Sequence, residues 1–409
     1  MNDLPAILKR DTAEIHERVE RLPFFQALRT HELQTLSIVG FMRCLAIVHA
    51  VVERLSSASR TPPVEAVWRV TMPKLPLLTS DLTGLGAEAL PSITPAIVQA
   101  IELGGELLKL SIDPVALIGF LYVLEGSQNG ATYLKQELAR GLDVEPEKLT
   151  YFGCYGQATS ATWQSFVSLL GSLELSAEEK AVAVRSAVTC FAGIERIVSA
   201  LHPFDEKDVR YHVAAVNIEA GDHLVPQDPD EIVLALRAGR TAWEKFPYLE
   251  ARFGDRGRRF TSSDSCWLVG LHDFPADVVT KNLVWLRTVL ASRGLPTIIL
   301  ERHLETIVRE LGASRAASYQ PFLASLRTER ASYMSADVLE SITSEHERLF
   351  RACSGYRIEP AAELIVSAWI DERAGIAGAL ASTRAWFGDP GRFSSDWTGT
   401  VDRLVGALC

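Results

Sequence analysis

Apolar residues recur at spacings of three and four along most of the chain, which is the periodicity of an amphipathic α-helix. In the first half the pattern covers Leu4–Glu20, Leu33–Leu55, Pro95–Leu110, Val115–Leu138, Ala161–Leu173 and Ala177–Leu201. In the second half it covers Glu231–Phe246, Ala276–Arg293, Ile298–Leu311, Tyr319–Leu326, Ala336–Cys353 and Ala361–Trp386. Alternation of apolar and polar residues, which marks strands, is rare. We therefore predict an all-α fold made by helix-on-helix packing.

Three local signals predict where helices begin. Thr94-Pro95 and Asp113-Pro114 each place a capping side chain before a proline, which is favoured in the first helical turn. Ser176 followed by Glu179 has the spacing of a capping box for the helix Ala177–Leu201.

The length of the chain predicts two domains. It has 409 residues, 47% of them hydrophobic, which is more than one ordinary core accommodates. A turn-rich, polar stretch begins at about residue 203 and ends at 230. We predict a helical domain over 1–205, a linker over 206–230 and a second helical domain over 231–409.

Charge and cysteine usage exclude several classes of protein. The net charge is −10 and no basic stripe is present, which argues against binding of nucleic acid. Six scattered cysteines form no CxxC pair and favour a reduced, cytoplasmic chain. The N-terminus lacks the pattern of a signal peptide, and the apolar stretches around 38–52 and 115–124 are shorter than a membrane span. We therefore expect a cytoplasmic protein that does not enter a membrane.

A histidine near the N-terminus shares a predicted helix face with a lysine. Lys9 and His16 are seven residues apart, so they lie on nearly the same face two turns apart. His16 could bind an iron at the centre of a flat macrocycle while Lys9 pairs with a carboxylate at its edge. The alternative is an ordinary charged helix in which His16 faces water or bonds to Glu20.

Two glycines lie four residues apart on the predicted helix Val115–Leu138. Gly126 and Gly130 each cost about 1 kcal/mol relative to alanine inside a helix. Bare backbone would let a ligand approach closely or let the helix kink. Tight packing between two helices would use the same glycines.

These segments together resemble the heme oxygenases, most closely the bacterial, biliverdin-producing type that accompanies phytochromes. Residues 8–16, LKRDTAEIH, are similar to the proximal helix of that family, in which a threonine precedes the ligand histidine by four positions. Residues 122–130, YVLEGSQNG, look like its distal helix motif. Residues 151–156, followed by Trp163 and Phe166, are similar to a further stretch. The resemblance covers about residues 1–205.

The chain departs from the family pattern in its distal motif. The family usually has a second glycine at the position of Ala131, and Gln128 and Asn129 are more polar than that motif leads us to expect. We expect these changes to affect turnover and the site of ring attack more than the binding of heme.

The resemblance implies that heme is both substrate and cofactor, and that O₂ cleaves it to biliverdin, CO and ferrous iron. No flavin or dinucleotide motif is present, so a separate reductase or ferredoxin would supply electrons, and a phytochrome would accept the biliverdin. The implied roles are metal ligation by His16, heme binding by Lys9, Arg10, Tyr122, Gly126 and Gly130, and catalysis at Gly126, Ser127 and Gly130.

Two other functions stay open at this point. One is a heme-oxygenase-like non-heme di-iron oxygenase, for which His49 and Glu53, or His16 and Glu20, have a suitable spacing of four. Later helices offer no second cluster, and His49 then reads as a core histidine. The other is a sensor or carrier that binds heme or bilin without turnover.

The second half resembles no family. The segment Arg252–Phe260 reads as a loop whose arginines and aromatic residues either form a pocket for an anionic or planar ligand or make a solvated turn. His303 is either a ligand or a surface histidine. Cys266 and Cys353 could bond a bilin covalently. Its fusion to the first half suggests that this half binds the product made there.

Overall fold

The computed structural model describes residues 4–210 and 225–408, apart from the side chain of Glu88. Within these residues the fold is all-α, as predicted, with one two-stranded antiparallel ribbon that pairs Ser92–Ile93 (β1) with Val209–Arg210 (β2). The helices of the first half are Leu4–Glu20 (α1), Pro23–Arg29 (α2), Thr35–Ala58 (α3), Pro62–Arg69 (α4), Leu75–Gly84 (α5), Thr94–Leu110 (α6), Ala116–Leu142 (α7), Thr159–Ser172 (α8) and Ala177–Leu201 (α9). Those of the second half are Pro229–Lys245 (α10), Pro247–Gly270 (α11), Ala276–Ser292 (α12), Thr297–Leu311 (α13), Gln320–Tyr333 (α14), Ala336–Ala352 (α15), Ala361–Arg373 (α16), Ala379–Phe387 (α17) and Ser395–Leu408 (α18).

The predicted helices are present, with two corrections. The segment Arg252–Phe260 is not a loop but part of α11, which kinks at Gly254, where φ is +52°. The predicted helix Ala361–Trp386 is two helices, α16 and α17. Gly375 and Gly378 lie between them with φ of +91° and +83°, a backbone conformation that favours glycine and ends a helix.

Of the three predicted helix caps, the capping box is confirmed and the other two are wrong. The Ser176 Oγ accepts from the Glu179 amide (3.1 Å), and the Glu179 carboxylate accepts from the Ser176 amide (2.7 Å). Asp113 accepts from the amide of Val115 (3.1 Å), but α7 begins only at Ala116, with Val115 at its cap position and no side-chain cap. Thr94 does not cap α6: the cap position is Ile93, and the buried Thr94 hydroxyl has no hydrogen-bond partner.

The chain divides into two compact units. The first contains Met1–Leu236 and Ser262–Trp267, and the second contains Arg237–Thr261 and Leu268–Cys409. The boundaries between the two units therefore do not fall within the predicted linker 206–230. Residues 211–224 of that linker lie outside the described residues. The position of the linker stays a prediction.

In the first unit, α9 packs against α1, α6 and α7, and α3 packs against α6. Helix α7 approaches α9 closely at Gly119, where an added Cβ would clash with the Ala183 carbonyl oxygen. The Ser186 hydroxyl crosses the same contact and donates to the Ala116 carbonyl (2.6 Å). Gly119 therefore sets the distance between two long helices.

Helix α3 forms much of the core of the first unit. Its 24 residues are long and apolar enough to cross a membrane, so the prediction that this stretch is too short for a span is wrong. In the structure, 83% of its most apolar window is buried inside the protein, as expected for a core helix. Length and composition alone do not distinguish the two situations.

The second unit has an aromatic core made by α15–α18 with Tyr248 of α11. Phe393 stacks on Trp397 with ring centroids 4.8 Å apart, and Tyr248 stacks on Phe387 at 5.2 Å. The buried Asp371 of α16 accepts from the backbone amide of Thr297 (2.8 Å) at the start of α13. A side chain from one helix thus caps another.

Candidate functional site

A cavity of about 800 Å³ lies between α1 and α7 in the first unit. This size is within the range of small-molecule and cofactor sites. Phe25, Phe41 and Phe191 contribute apolar surface. The lining includes these predicted site residues: Lys9, His16, Tyr122, Gly126, Ser127 and Gly130.

His16 lies on the α1 side of the cavity with about half of its side chain exposed (53%). Its ring meets Phe191 edge to face at a centroid distance of 5.4 Å. The Nε2 atom is 3.6 Å from a carboxylate oxygen of Glu20, which is too long for a hydrogen bond. The imidazole is therefore oriented by an aromatic contact and keeps its nitrogens available to a ligand in the cavity.

The structure separates the two predicted cationic partners. Lys9 is exposed and lines the cavity, on the same helix as His16. Arg10 does not line it and is paired with Asp11 (2.6 Å) on the exposed surface. Lys9 alone of the pair can reach a ligand in this cavity.

Tyr122 joins α7 to α1 at the cavity wall. Burial raises the pKa of its hydroxyl, and interaction with the Thr12 hydroxyl opposes that shift. Thr12 in turn donates to the Leu8 carbonyl (2.7 Å) inside α1. The threonine four residues before His16 is therefore a contact between the two helices.

The two glycines of α7 have different surroundings. A Cβ at Gly126 would lie 3.3 Å from the ring of Trp163, so this glycine accommodates a tryptophan. A Cβ at Gly130 would meet no heavy atom within 4 Å. Bare backbone facing open cavity, as the spacing of the two glycines suggested, is found at Gly130.

The hydroxyl of Ser127 is used within its own helix. It donates to the Leu124 carbonyl (2.7 Å), so its proton is not directed at the cavity. Asn129, which is more polar than the family motif leads us to expect, likewise donates its side-chain N–H within the helix, to the Gly126 carbonyl (3.0 Å). Ala131 is buried (2% exposed) and borders the cavity.

A buried ion pair joins Glu125 of α7 to Lys74, the residue before α5. The Lys74 ammonium, 1% exposed, pairs with Glu125 and donates to the Met72 carbonyl (3.1 Å). Tyr155 donates to the other oxygen of Glu125 (2.8 Å). Removal of one partner from such a pair would leave a buried charge uncompensated.

The spacing of His49 and Glu53 does not assemble a di-iron site. The buried His49 ring has both nitrogens partnered, by Glu53 and by Tyr151, each at 3.1 Å. Among residues 4–210 and 225–408, no group of three or more His, Cys, Asp or Glu side chains is placed to hold a metal ion. The interpretation of His49 as a core histidine agrees with this placement.

The predicted pocket at Arg252–Phe260 is not found. None of these residues lines the cavity of about 800 Å³ or a cavity of about 630 Å³ in the second unit. Arg252 donates to the Ser382 hydroxyl (2.9 Å) and to the Arg293 carbonyl (3.2 Å). The Arg258 guanidinium lies over the Trp243 ring at 4.4 Å. Both arginines thus have partners within the second unit, which supports a structural role.

Three further predictions in the second half are corrected. His303 is not on the surface but buried (7% exposed) in α13. Cys266 and Cys353 are buried, and burial raises the pKa of the Cys266 thiol to about 12. A bilin could not reach either sulfur without local opening of the fold.

Sequence reasoning missed the second large cavity, of about 630 Å³, in the second unit. Its lining is rich in ion pairs, among them Arg287 with Glu329 (2.5 Å) and Arg302 with Glu305 (2.9 Å). No local pattern marks it, because its residues come from helices far apart in the chain.

Residues 2–200 match the family model described as heme oxygenase. A search of curated proteins returned no match to the chain. The matched residues contain the whole cavity and end before the second unit's cavity begins.

Proposed function

We propose that this protein binds heme and cleaves it oxidatively to biliverdin, CO and ferrous iron, taking as the premise that its residues 2–200 belong to the heme oxygenase family. The observation that carries the proposal is one cavity of about 800 Å³ with His16 on the α1 side and the open backbone of Gly130 on the α7 side.

The residues of the cavity fit a heme. His16 would ligate the iron through one ring nitrogen, and the aromatic contact with Phe191 would hold the imidazole plane. The Lys9 ammonium, on the same helix, would pair with a propionate. The phenylalanines of the lining would cover the macrocycle.

Heme supplies the iron that activates O₂ and the ring that is oxidised, while a separate reductase or ferredoxin would supply the electrons. The chain's own contribution is shape and exclusion of water. At Gly130 the bare backbone leaves room for a small ligand. The buried methyl group of Ala131 reduces the space available in the neighbouring part of the cavity. Ser127 is not a proton donor in this arrangement, because its hydroxyl is bonded to the Leu124 carbonyl.

The test is an absorption titration of the purified protein with hemin, followed by a reductant in air. We expect a sharp Soret band that decays while a broad red band of biliverdin grows. His16→Ala should lose the sharp band, and added imidazole should restore it. His31→Ala is the matched control, because His31 pairs with Glu137 (3.3 Å) and does not line the cavity.

Other results would change the conclusion. A stable Soret band without ring opening would favour a sensor or carrier. Absence of heme binding would overturn the proposal. We also propose that biliverdin is transferred to a phytochrome and to the second half of this chain. Titration of each with purified biliverdin tests this.

A further inference from the structure

The cavity of about 630 Å³ in the second unit lies outside the residues matched to the heme oxygenase family. Helix α15 borders it over nearly its whole length, from Ala336 to Arg351, and α12, α13, α14 and α16 contribute most of the other lining residues. Ala336 and Arg351 are fifteen positions apart, which corresponds to about 22 Å along the helix axis. The cavity is therefore long, and its volume is that of a small-molecule site.

The lining combines apolar surface with charged groups that the protein itself holds in place. Its larger apolar members are Ile298, Leu326, Leu339, Val366 and Ile370. Asp371 is 1% exposed and pairs with Arg287 (3.1 Å). Glu301 is 2% exposed and pairs with Arg330. Buried charges are costly unless they are paired, so this part of the wall is complete without a ligand.

Two polar atoms beside the start of α16 are not satisfied in this way. Glu347 Oε1 accepts from the amides of Ala362 (2.8 Å) and Glu363 (3.3 Å), whereas Glu347 Oε2 is buried with no hydrogen-bond partner in the described chain. The Arg302 guanidinium is 3.7 Å from the Glu363 carboxylate through Nη2, and its Nε–H is also buried without a partner there. One unused acceptor and one unused donor thus belong to two residues that line the same cavity.

This pair of groups suits a lactam. A lactam carries an N–H donor and a carbonyl acceptor on the same edge of a ring, so it can donate to Glu347 and accept from Arg302. A buried polar group without a partner costs free energy, and binding of a lactam would remove that cost. Both side chains are half-buried, so small rotations can turn these atoms towards the cavity.

Two arginines of α15 offer binding groups for anions next to Glu347. Arg348 and Arg351 are three positions apart, so they are neighbours on the helix surface, and both line the cavity. Arg348 donates to the Ser344 carbonyl (3.3 Å) and forms no ion pair within the described residues. The ion pair of Arg351 with Glu359 (2.8 Å) is exposed at both partners, so solvent weakens it. Two guanidinium groups can therefore bind two carboxylates here.

We propose that this cavity binds an open-chain tetrapyrrole dicarboxylate, the chemical class of biliverdin, without a covalent bond. A terminal lactam bonds to Glu347 and Arg302. The two propionates pair with Arg348 and Arg351, and the apolar lining covers the conjugated rings. This inference rests on the proposed function, in which biliverdin is the product made in the first unit.

The test is a titration of the full-length protein with purified biliverdin, followed by the circular dichroism that binding induces in the red absorption band of the pigment. Ferric hemin is added first, without a reductant, so that the cavity of the first unit is filled and no ring is cleaved. We expect one saturable biliverdin site per chain. Arg348→Ala and Glu347→Gln should each weaken it about tenfold, the loss expected for one charge-assisted hydrogen bond.

The design of the Glu347 variant keeps the fold intact. In Glu347→Gln the remaining oxygen can still accept from the amides of α16, but the group left for the lactam is then an N–H donor instead of an acceptor. The matched controls are Glu345→Gln on α15 and Arg309→Ala on α13, because both residues are exposed and neither lines the cavity. Both controls should bind biliverdin as the wild type does.

A second probe separates the propionates from the lactam. Biliverdin dimethyl ester lacks the two negative charges but keeps both lactams. Arg348→Ala should weaken binding of the free acid and leave binding of the ester unchanged, whereas Glu347→Gln should weaken binding of both. Equal losses for acid and ester in Arg348→Ala would overturn the assignment of the propionates to α15.

Failure of this inference and failure of the proposed function give different results. If hemin does not bind, the proposed function fails, and the same titration without hemin still measures what Arg348→Ala and Glu347→Gln do. Equal biliverdin binding by the wild type and both variants, or no binding, overturns the inference even when heme is cleaved. Denaturation in acid should release all the pigment, because neither Cys266 nor Cys353 lines the cavity. Pigment that stays attached to the chain would also overturn the inference.

Discussion

The ring of Trp163 occupies the space beside Gly126, so that a Cβ at position 126 would lie 3.3 Å from Trp163 Cη2. Four residues along the same helix, Gly130 faces open space. The two glycines therefore serve different purposes. Gly126 leaves space for the side chain of Trp163, and Gly130 leaves the cavity wall without a side chain.

This difference predicts opposite effects of Gly130→Ala on stability and on ligand binding. Alanine is favoured over glycine in a helix by about 1 kcal/mol, and nothing obstructs the methyl, so the free energy of unfolding should rise by up to that amount. Hemin affinity should fall, because the methyl enters the cavity. Urea unfolding and hemin titration measure the two effects.

The matched variant is Gly126→Ala, whose methyl must displace Trp163 slightly. We expect a smaller gain in stability than for Gly130→Ala. Equal gains in the two variants would contradict the assignment of separate roles.

The position of Lys9 predicts a selective loss of hemin affinity. Lys9→Ala should weaken hemin binding by about tenfold, since one charge-assisted pair contributes roughly 1.5–3 kcal/mol before solvent screening. Arg10→Ala should change it little, because Arg10 pairs with Asp11 outside the cavity. Titration at two salt concentrations checks the charge dependence, and equal losses for both variants would contradict it.

The contact at Gly119 predicts a large loss of stability on a minimal change. In Gly119→Ala the added methyl would meet the Ala183 carbonyl oxygen at 2.1 Å, and a backbone atom cannot rotate away. Overpacking of this kind costs about 1–3 kcal/mol, more than the helix propensity that alanine adds. Urea unfolding should show the fall, opposite in sign to Gly130→Ala. A neutral or stabilising result would show that α7 and α9 can move apart freely.

Burial of His303 predicts a pH dependence of stability. Desolvation lowers the pKa of His303 from 6.5 to about 4 in the folded protein. Between these values the unfolded state binds the proton and the folded state does not, so the free energy of unfolding falls as the pH falls. The contribution reaches about 3 kcal/mol below pH 4.

The variant His303→Gln removes this titration. Unfolding measured from pH 7 to pH 4 should show a steeper loss of stability in the wild type than in the variant. Parallel profiles would mean that His303 takes up its proton equally well in the folded state.

Features that depend on a few neighbouring residues could be predicted from the sequence. The capping box of Ser176 and Glu179 and the bounds of α9 are of this kind, as is the shared face of Lys9 and His16. That α1 and α7 meet across a cavity was implied only by the resemblance to a family.

Features that depend on distant partners could not be predicted. His303 looked exposed because Glu301 and Glu305 surround it, but Glu301 is 2% exposed and pairs with Arg330. Glu305 pairs with Arg302 and Arg327. Acidic residues are read as solvent-facing unless the arginines that neutralise them are known.

The same reason explains the error at Arg252–Phe260. Arginine and glycine in one short stretch suggest a loop, yet Arg252 finds its partners at Ser382 and Arg293. The break between α16 and α17 is different, because Gly375 and Gly378 are visible in the sequence and mark it.

Helix α7 contacts α9 at Gly119 and borders the cavity at Gly130. The contact with α9 at Gly119 and the cavity wall at Gly130 belong to one continuous helix, and the two residues are eleven positions apart, which corresponds to about 16 Å along the helix axis. We therefore expect a change in the packing of α7 against α9 at Gly119 to be carried along the helix and to change the width of the cavity beside Gly130. Substitutions in α9 that touch no ligand can tune the cavity in this way, so the core of the first unit and its cavity cannot vary independently.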